Sequence, residues 1–177
     1  MSGEFGVIDR IQKLLPGPPA GETWIGDDAA AVSPPSGGLL LTCDAVVAGV
    51  HADLSLVGLD DFGWKALAAA VSDVAAMGGQ PRYALVSLCG PPDTDVDLFF
   101  RGVAAAAEAH QCPVVGGDLA GASELVVSVT VAGDTGHRAP VLRSGAVPGD
   151  RIFVTGRLGA SAAGLRLLAA GSSDPLT

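Results

Sequence analysis

Apolar and polar positions alternate between two periods along this chain, and the changes of period mark out its elements. Phe5, Ile8 and Ile11 recur at helical spacing and predict a short amphipathic helix over residues 4–11, stopped by Pro16-Gly17-Pro18-Pro19. Residues 24–32 form an apolar, strand-like segment interrupted by Asp27 and Asp28. The turn Pro34-Pro35-Ser36-Gly37-Gly38 leads into Leu39-Leu40-Leu41-Thr42-Cys43-Asp44, an apolar run that reads as a short buried strand ending in a hydroxyl, a thiol and a carboxylate. Residues 45–51 read as a second extended piece that ends at His51.

A long helix is predicted from Asp60-Asp61, which offer an N-cap and early negative charge, to Met77, closed by Gly78-Gly79. Trp64, Leu67, Ala68, Val71, Val74 and Ala75 fall on one face, which places Trp64 in the core. Asp73 lies opposite, among alanines. A helix apolar all round is a buried helix, so a mid-helix acid there is expected to have a task. Residues 82–89 read as a strand, residues 95–110 as a helix, and residues 112–115 as a short strand ending in a Gly116-Gly117-Asp118 turn. Residues 125–132 alternate, with Val127, Val129 and Val131 on one face, the signature of a strand. Residues 133–140 are the best linker. Beyond them come a strand at 151–155 and a small-residue helix at 160–170, and the sequence ends at Pro175-Leu176-Thr177 as another unit begins. The expectation is a first domain over residues 1–137 and the start of a truncated second one over residues 138–177.

Composition narrows the class. The 177 residues are 49% hydrophobic and 16% charged, enough apolar surface for a real core and too few charges for a disordered chain. No uncharged apolar run approaches the roughly 18–20 residues that span a bilayer. Residues 1–5 lack the basic region of a secretory signal, so a cytoplasmic protein is expected. The net charge of −9 argues against a nucleic-acid surface, which wants clustered Lys and Arg. Cys43, Cys89 and Cys112 show no CxxC spacing and read as reduced, small core residues. His110 and His137 read as surface residues and Lys65 as a solvated helix charge.

The chemistry lies with the acids. Asp28, Asp44 and Asp118 sit at the edges of strand-like segments, and Asp73 sits on the long helix. Converging carboxylates repel one another unless a cation neutralises them. Oxygen ligands with few histidines or thiolates favour Mg²⁺, which in such clusters handles phosphates. Asp27 either shares the metal or points away, since strand neighbours face opposite sides. The usual nucleotide signatures are missing: there is no GxxxxGK[ST] loop and no GxGxxG between a strand and a helix. Gly116-Gly117-Asp118 still offers a backbone that phosphate can approach closely.

Several segments in this order resemble the thiamine-monophosphate kinase family of the AIR synthetase-like superfamily. They are Gly3-Glu4-Phe5, Ile25-Gly26-Asp27-Asp28-Ala29-Ala30, Thr42-Cys43-Asp44 with Gly49-Val50-His51, and Trp64-Lys65-Ala66-Leu67-Ala68. Ser72-Asp73-Val74-Ala75-Ala76-Met77-Gly78, Gly116-Gly117-Asp118, Arg143-Ser144-Gly145-Ala146 and Pro148-Gly149-Asp150 continue the series. The resemblance covers about the first half of a typical member. It implies an α+β fold, a mixed sheet covered by helices in an AIR synthetase-like N-terminal domain, and a homodimer formed through that domain. It also implies ATP-dependent phosphorylation of thiamine monophosphate to thiamine diphosphate by direct, Mg²⁺-assisted transfer with no covalent nucleophile. By position, Asp28, Thr42, Cys43 (through its backbone), Asp44, Asp73 and Asp118 would hold the metal ions. Gly117, Asp118 and Arg143 would contact ATP, and His51 the thiamine phosphate. The chain departs from the family pattern at Ala52, Ala70 and Leu119.

Overall fold

A computed structural model describes residues 4–35 and 37–171. Gly3, Ser36 and Pro175-Leu176-Thr177 lie outside the described residues. The chain divides into two compact units, Met1–Val141 and Leu142–Thr177.

The first unit is built on a four-stranded mixed sheet of order β1-β4-β2-β3. Its strands are β1 (Leu39–Val47), β2 (Gln80–Gly90), β3 (Val114–Gly121) and β4 (Val126–Asp134). β1 and β2 both pair antiparallel with β4, and β3 joins β2 in parallel across the connecting helix. Three helices accompany the sheet: α1 (Glu4–Leu14), α2 (Leu59–Ala76) and α3 (Val96–His110). α2 and α3 cover one face. Val86, Val127, Val129 and Val131 meet Phe62, Leu67, Val74, Phe99 and Val103 there, in one fully enclosed cluster. Burying an apolar side chain of that size contributes about 1.5–3 kcal/mol. The opposite face is open: Leu41 is 68% exposed and Leu85 43%.

The ends of the helices follow local rules. Asp95 caps α3 by accepting the Leu98 N–H at 2.9 Å. Gly78, in the left-handed region at φ 71°, closes α2: its N–H donates to Ala75 O and that of Gly79 to Val74 O. The start of α2 differs from expectation. Its N-cap is Gly58, without a side-chain bond, and Asp60 and Asp61 sit inside the first turn.

The phase of α2 also differs. Its buried residues are Phe62, Gly63, Ala66, Leu67, Ala70, Val71 and Val74. Trp64 is 42% exposed, with its ring 5.6 Å from that of His110. His110, expected at the surface, is half-buried beside it. The cause is the contact between α2 and α3. A side chain at Gly63 would come within 2.2 Å of Phe99 O, and one at Gly102 within 1.7 Å of Asp60 O. The helices touch backbone to backbone along their small residues, which turns the bulky Trp64 outward and leaves Asp73 exposed.

Three further expectations are revised. β1 runs through residues 45–47 as one strand, and it is an edge strand with much of its length exposed. Gly116, Gly117 and Asp118 lie within β3, not in a turn after it. Residues 151–155 form no ladder among the described residues, and Ile152 and Phe153 are 95% and 82% exposed. A strand needs a neighbour to satisfy its backbone, and none is paired with this segment. The second unit contains α4 (Ala160–Ala169), and a turn in which Asp150 Oδ2 accepts the Val147 N–H at 2.9 Å.

An ion pair ends the sheet. Arg82 Nε donates to Asp134 Oδ2 at 2.6 Å, and Gly136 N–H donates to Oδ1 at 2.9 Å. These bonds, that from Arg82 foremost, hold the Asp134 carboxyl below its usual value of 3.8. A depressed folded value means stabilisation that is present above the unfolded value and lost as pH falls through the folded one. Asp134→Asn is therefore expected to lower the thermal midpoint at pH 7, and the gap from wild type should shrink below about pH 4. Calorimetric scans of both proteins across pH 2–7 check this; a gap constant over that range would remove the ion pair as its origin.

Candidate functional site

A cleft of about 1090 Å³ opens between the uncovered sheet face and a wall made by α1 and residues 24–32. Asp27, Asp28, Gly117 and Asp118 all line it, with Ser87, Ser128 and Thr130 on its floor. The pairing register explains the floor. Asp118 lies opposite Ser87 of β2, and Ser87 opposite Ser128 of β4, so the three form a polar row across the open face. Gly117 has no room for a side chain: a Cβ there would come within 1.9 Å of Val86 O. The glycine lets β3 lie flush on β2 and fixes the level at which Asp118 emerges.

Asp28 is carried on a turn, not on a strand edge as expected. Thr23 and Ala31 exchange hydrogen bonds of 2.9 and 2.8 Å, closing residues 23–31 into a small hairpin with Gly26-Asp27-Asp28 near its tip. Asp27 Oδ1 accepts the Asp28 N–H at 2.9 Å, which turns part of the Asp27 carboxylate back on the loop.

The residues of β1 point two ways. Thr42 and Asp44 share the parity of Leu40 and Val46, which pack toward α2 and the core. Thr42 Oγ1 donates to Asp73 Oδ2 at 2.7 Å, so the strand hydroxyl and the helix acid meet on that side. Cys43 faces the open side, with Sγ 3.4 Å from Ser128 Oγ. Hydrogen bonds with Ser128, then Thr130, bring its thiol below the usual 9.0. Cys43 is exposed, against expectation, because it lies on the uncovered face of an edge strand; Cys112 is the buried one, pushed up to about 12 by burial.

The candidate ligands thus fall into two groups. Asp28 and Asp118 belong to the cleft; Thr42, Asp44 and Asp73 belong to the α2 side of the opposite edge. Three strand spacings, about 14 Å, separate β1 from β3. Among the described residues no three His, Cys, Asp or Glu side chains gather as a cage for an ion. The donor chemistry nonetheless fits Mg²⁺. That ion takes hard oxygens and is commonly held by one or two carboxylates together with substrate phosphates, not by an all-protein cage.

His51 sits in the turn after β1, where Gly49 adopts φ 78°. His51 N–H donates to Val47 O at 2.9 Å, and Val47 N–H donates to His51 Nδ1 at 3.0 Å. With Nδ1 accepting, the neutral ring carries its proton on Nε2. Lys65 Nζ donates to His51 O, so the residue read as a solvated charge pins this turn to α2. Arg143 lies exposed in a turn of the second unit, where Gly145 N–H donates to Leu142 O at 3.1 Å.

The sequence reading missed Glu22. Its carboxylate accepts from Trp24 Nε1 at 2.8 Å, Ser33 N–H at 3.1 Å and Tyr83 Oη at 2.9 Å. These bonds, Trp24's the strongest, hold its carboxyl at about 2. Its partner Tyr83 is the chain's single tyrosine, the one signal that would have marked the pair.

Fold and cleft together define an α+β domain that presents oxygen donors along an open sheet face, a class suited to cations and phosphates. The chain belongs to the AIR synthase related protein, N-terminal domain family, whose model matches residues 26–135. It is 44% identical over 169 residues to the thiamine-monophosphate kinase of Aquifex aeolicus, covering 94% of this chain and 53% of that protein. It is 39% identical over 170 residues to that of Bacillus subtilis, covering 93% and 52%. A solved structure described as AaThiL complexed with AMPPCP and TMP superposes with a TM-score of 0.72 at 42% identity, covering 98% of this chain and 54% of that one. The chain spans about half the length of the curated relatives it matches.

Proposed function

We propose that this chain is the N-terminal half of a thiamine-monophosphate kinase, which phosphorylates thiamine monophosphate to thiamine diphosphate at the expense of ATP. The observation that carries the reading is the 44% identity to the Aquifex aeolicus enzyme over 94% of the chain. The solved relative that carries AMPPCP, an ATP analogue, together with TMP supports the choice of substrates. The cleft supports the chemistry. Phosphoryl transfer needs positioning and charge neutralisation more than a protein nucleophile, and the attacking phosphate oxygen is already ionised. Mg²⁺, when bound, would neutralise the transferring phosphates. Asp28 and Asp118 would hold one ion in the cleft, and Asp44 and Asp73, with Thr42 and the Cys43 backbone, a separate one on the α2 side of β1. Gly117 would let phosphate approach the backbone of β3. Arg143 is proposed to meet ATP and His51 the thiamine phosphate, through the Nε2 proton that its Val47 bond assigns.

The open sheet face, with Leu41 and Leu85 uncovered, supports pairing of two copies through this domain. No helix of the described residues is long and apolar enough to cross a membrane, and a cytoplasmic site of action is part of the proposal. Asp44→Asn tests the reading. It is expected to abolish Mg²⁺-dependent ATP binding in calorimetry while the circular dichroism spectrum stays as in wild type. Unchanged affinity for Mg-ATP would remove Asp44 from the site. ADP formed with another phosphate acceptor but not with thiamine monophosphate, in the full-length protein, would instead favour a different AIR synthetase-like enzyme. Retained nucleotide affinity with no turnover on any acceptor would favour a non-catalytic nucleotide-binding or dimerisation module.

A further inference from the structure

The Asp27-Asp28 turn is mounted on a hairpin whose base rests on a single carboxylate. Residues 23–31 are closed by the Thr23–Ala31 pair of hydrogen bonds, so they move as one piece. Glu22 sits at the foot of that piece, and its two oxygens take three donors. Oε2 accepts from Trp24 inside the hairpin; Oε1 accepts from Ser33 N–H, where the chain leaves the hairpin, and from the Tyr83 hydroxyl on β2. Tyr83 lies one residue before β3 joins β2 at Ala84 and Val114, so its hydroxyl meets the hairpin beyond the end of the edge strand. Trp24 is 8% exposed, which anchors the indole under the same carboxylate. Nearer the tip, Gln12 Nε2 of α1 donates to Ile25 O.

We infer that Glu22 is a positioning residue: through its hydrogen bond from Tyr83 it sets where Asp28 stands over the polar row of Asp118 and Ser87, and cation-bound phosphate binding in the cleft depends on it. This rests on the reading of the cleft given under the proposed function. The lever is long. Extended chain advances about 3.3 Å per residue, so a tip several residues from the base shifts by ångströms for a modest tilt at Glu22. Misplacement of a ligating group by about 1 Å costs on the order of 100-fold where geometry matters. The charge is needed as well as the shape. A glutamine in this place has one acceptor oxygen and one amide nitrogen, and the nitrogen would face a donor whichever way the side chain turns.

The test uses the whole chain with Mn²⁺ and AMPPCP as the probe, read by electron paramagnetic resonance. Glu22→Gln and Tyr83→Phe are each expected to raise the Kd for Mn²⁺·AMPPCP at least tenfold, with an unchanged circular dichroism spectrum. In a Trp64→Phe background, where Trp24 is the remaining indole, Glu22→Gln should also shift tryptophan emission to the red as the hairpin loosens. Asp28→Asn is the reference and should lose the complex. Affinities within twofold of wild type in Glu22→Gln and Tyr83→Phe, with binding lost in Asp28→Asn, overturn the role of Glu22 and leave the cation reading standing. Unchanged affinity in Asp28→Asn overturns the cation reading itself, and this role with it. Should Glu22→Gln fail to fold, Tyr83→Phe decides, since it removes one hydroxyl and no charge.

Discussion

Gly102→Ala is expected to cost about 3 kcal/mol, a large share of the stability of a domain this size. The added methyl would fall 1.7 Å from Asp60 O, 2.5 Å from its carbonyl carbon and 2.8 Å from its Cα. All three are backbone atoms of α2, so no rotamer change relieves the clash and the two helices must part. Parting them opens the core at Phe62, Phe99 and Val103, where close packing is the source of stability. Gly63 makes the reciprocal approach to Phe99 O at 2.2 Å, so sliding along the crossing gives no escape. Gly121→Ala is the control. A side chain there meets nothing within 4 Å, and a shift within about 0.5 kcal/mol is expected. Urea unfolding of both variants measures the difference; equal midpoints would mean that α2 and α3 do not meet as described.

Asp118→Asn should weaken Mg-ATP binding at least 100-fold and leave the thermal midpoint within a few degrees of wild type. The side chain is exposed, and β3 is held by backbone pairing with β2, so little of the fold leans on the carboxylate. Its charge is what the cleft needs: phosphates bring negative charge, and the cation that offsets it takes anionic oxygen in preference to an amide. Calorimetric titration with Mg-ATP, paired with a thermal scan, reads both quantities. A parallel loss of affinity and stability would mean that Asp118 shapes the sheet and does not serve the ligand.

Much of this was legible in the chain. β4 announced itself through Val127, Val129 and Val131, because a strand at the centre of a sheet alternates plainly between a buried and a less buried face. α3 was bounded by Asp95 and α2 by Gly78, because caps obey local backbone rules that need no distant partner. Cys43 and Leu41 misled. A run of apolar residues looks buried whether or not its outward side is covered, and only strand order together with which sheet face the helices cover distinguishes them. Trp64 misled for a related reason: the heavier face of a helix is not the inner face when glycine and alanine permit a closer contact on the other side.

The candidate acids were named from the sequence, since their types and neighbours carry the family resemblance. Their division into a cleft pair, Asp28 and Asp118, and a β1-side group, Thr42, Asp44 and Asp73, was not legible, because it depends on register and strand order. Glu22 was missed because nothing in Gly21-Glu22-Thr23 shows that its partner lies on β2, 61 positions on. By itself the sequence determined most helices and strands of the first unit, the Asp95 and Gly78 caps, and an oxygen-rich donor set suited to cations, all properties of neighbours along the chain. Tertiary structure alone decided which face of the sheet is open, which way α2 turns and which acids share a side, because those follow from how distant backbones pair and how closely two helices approach.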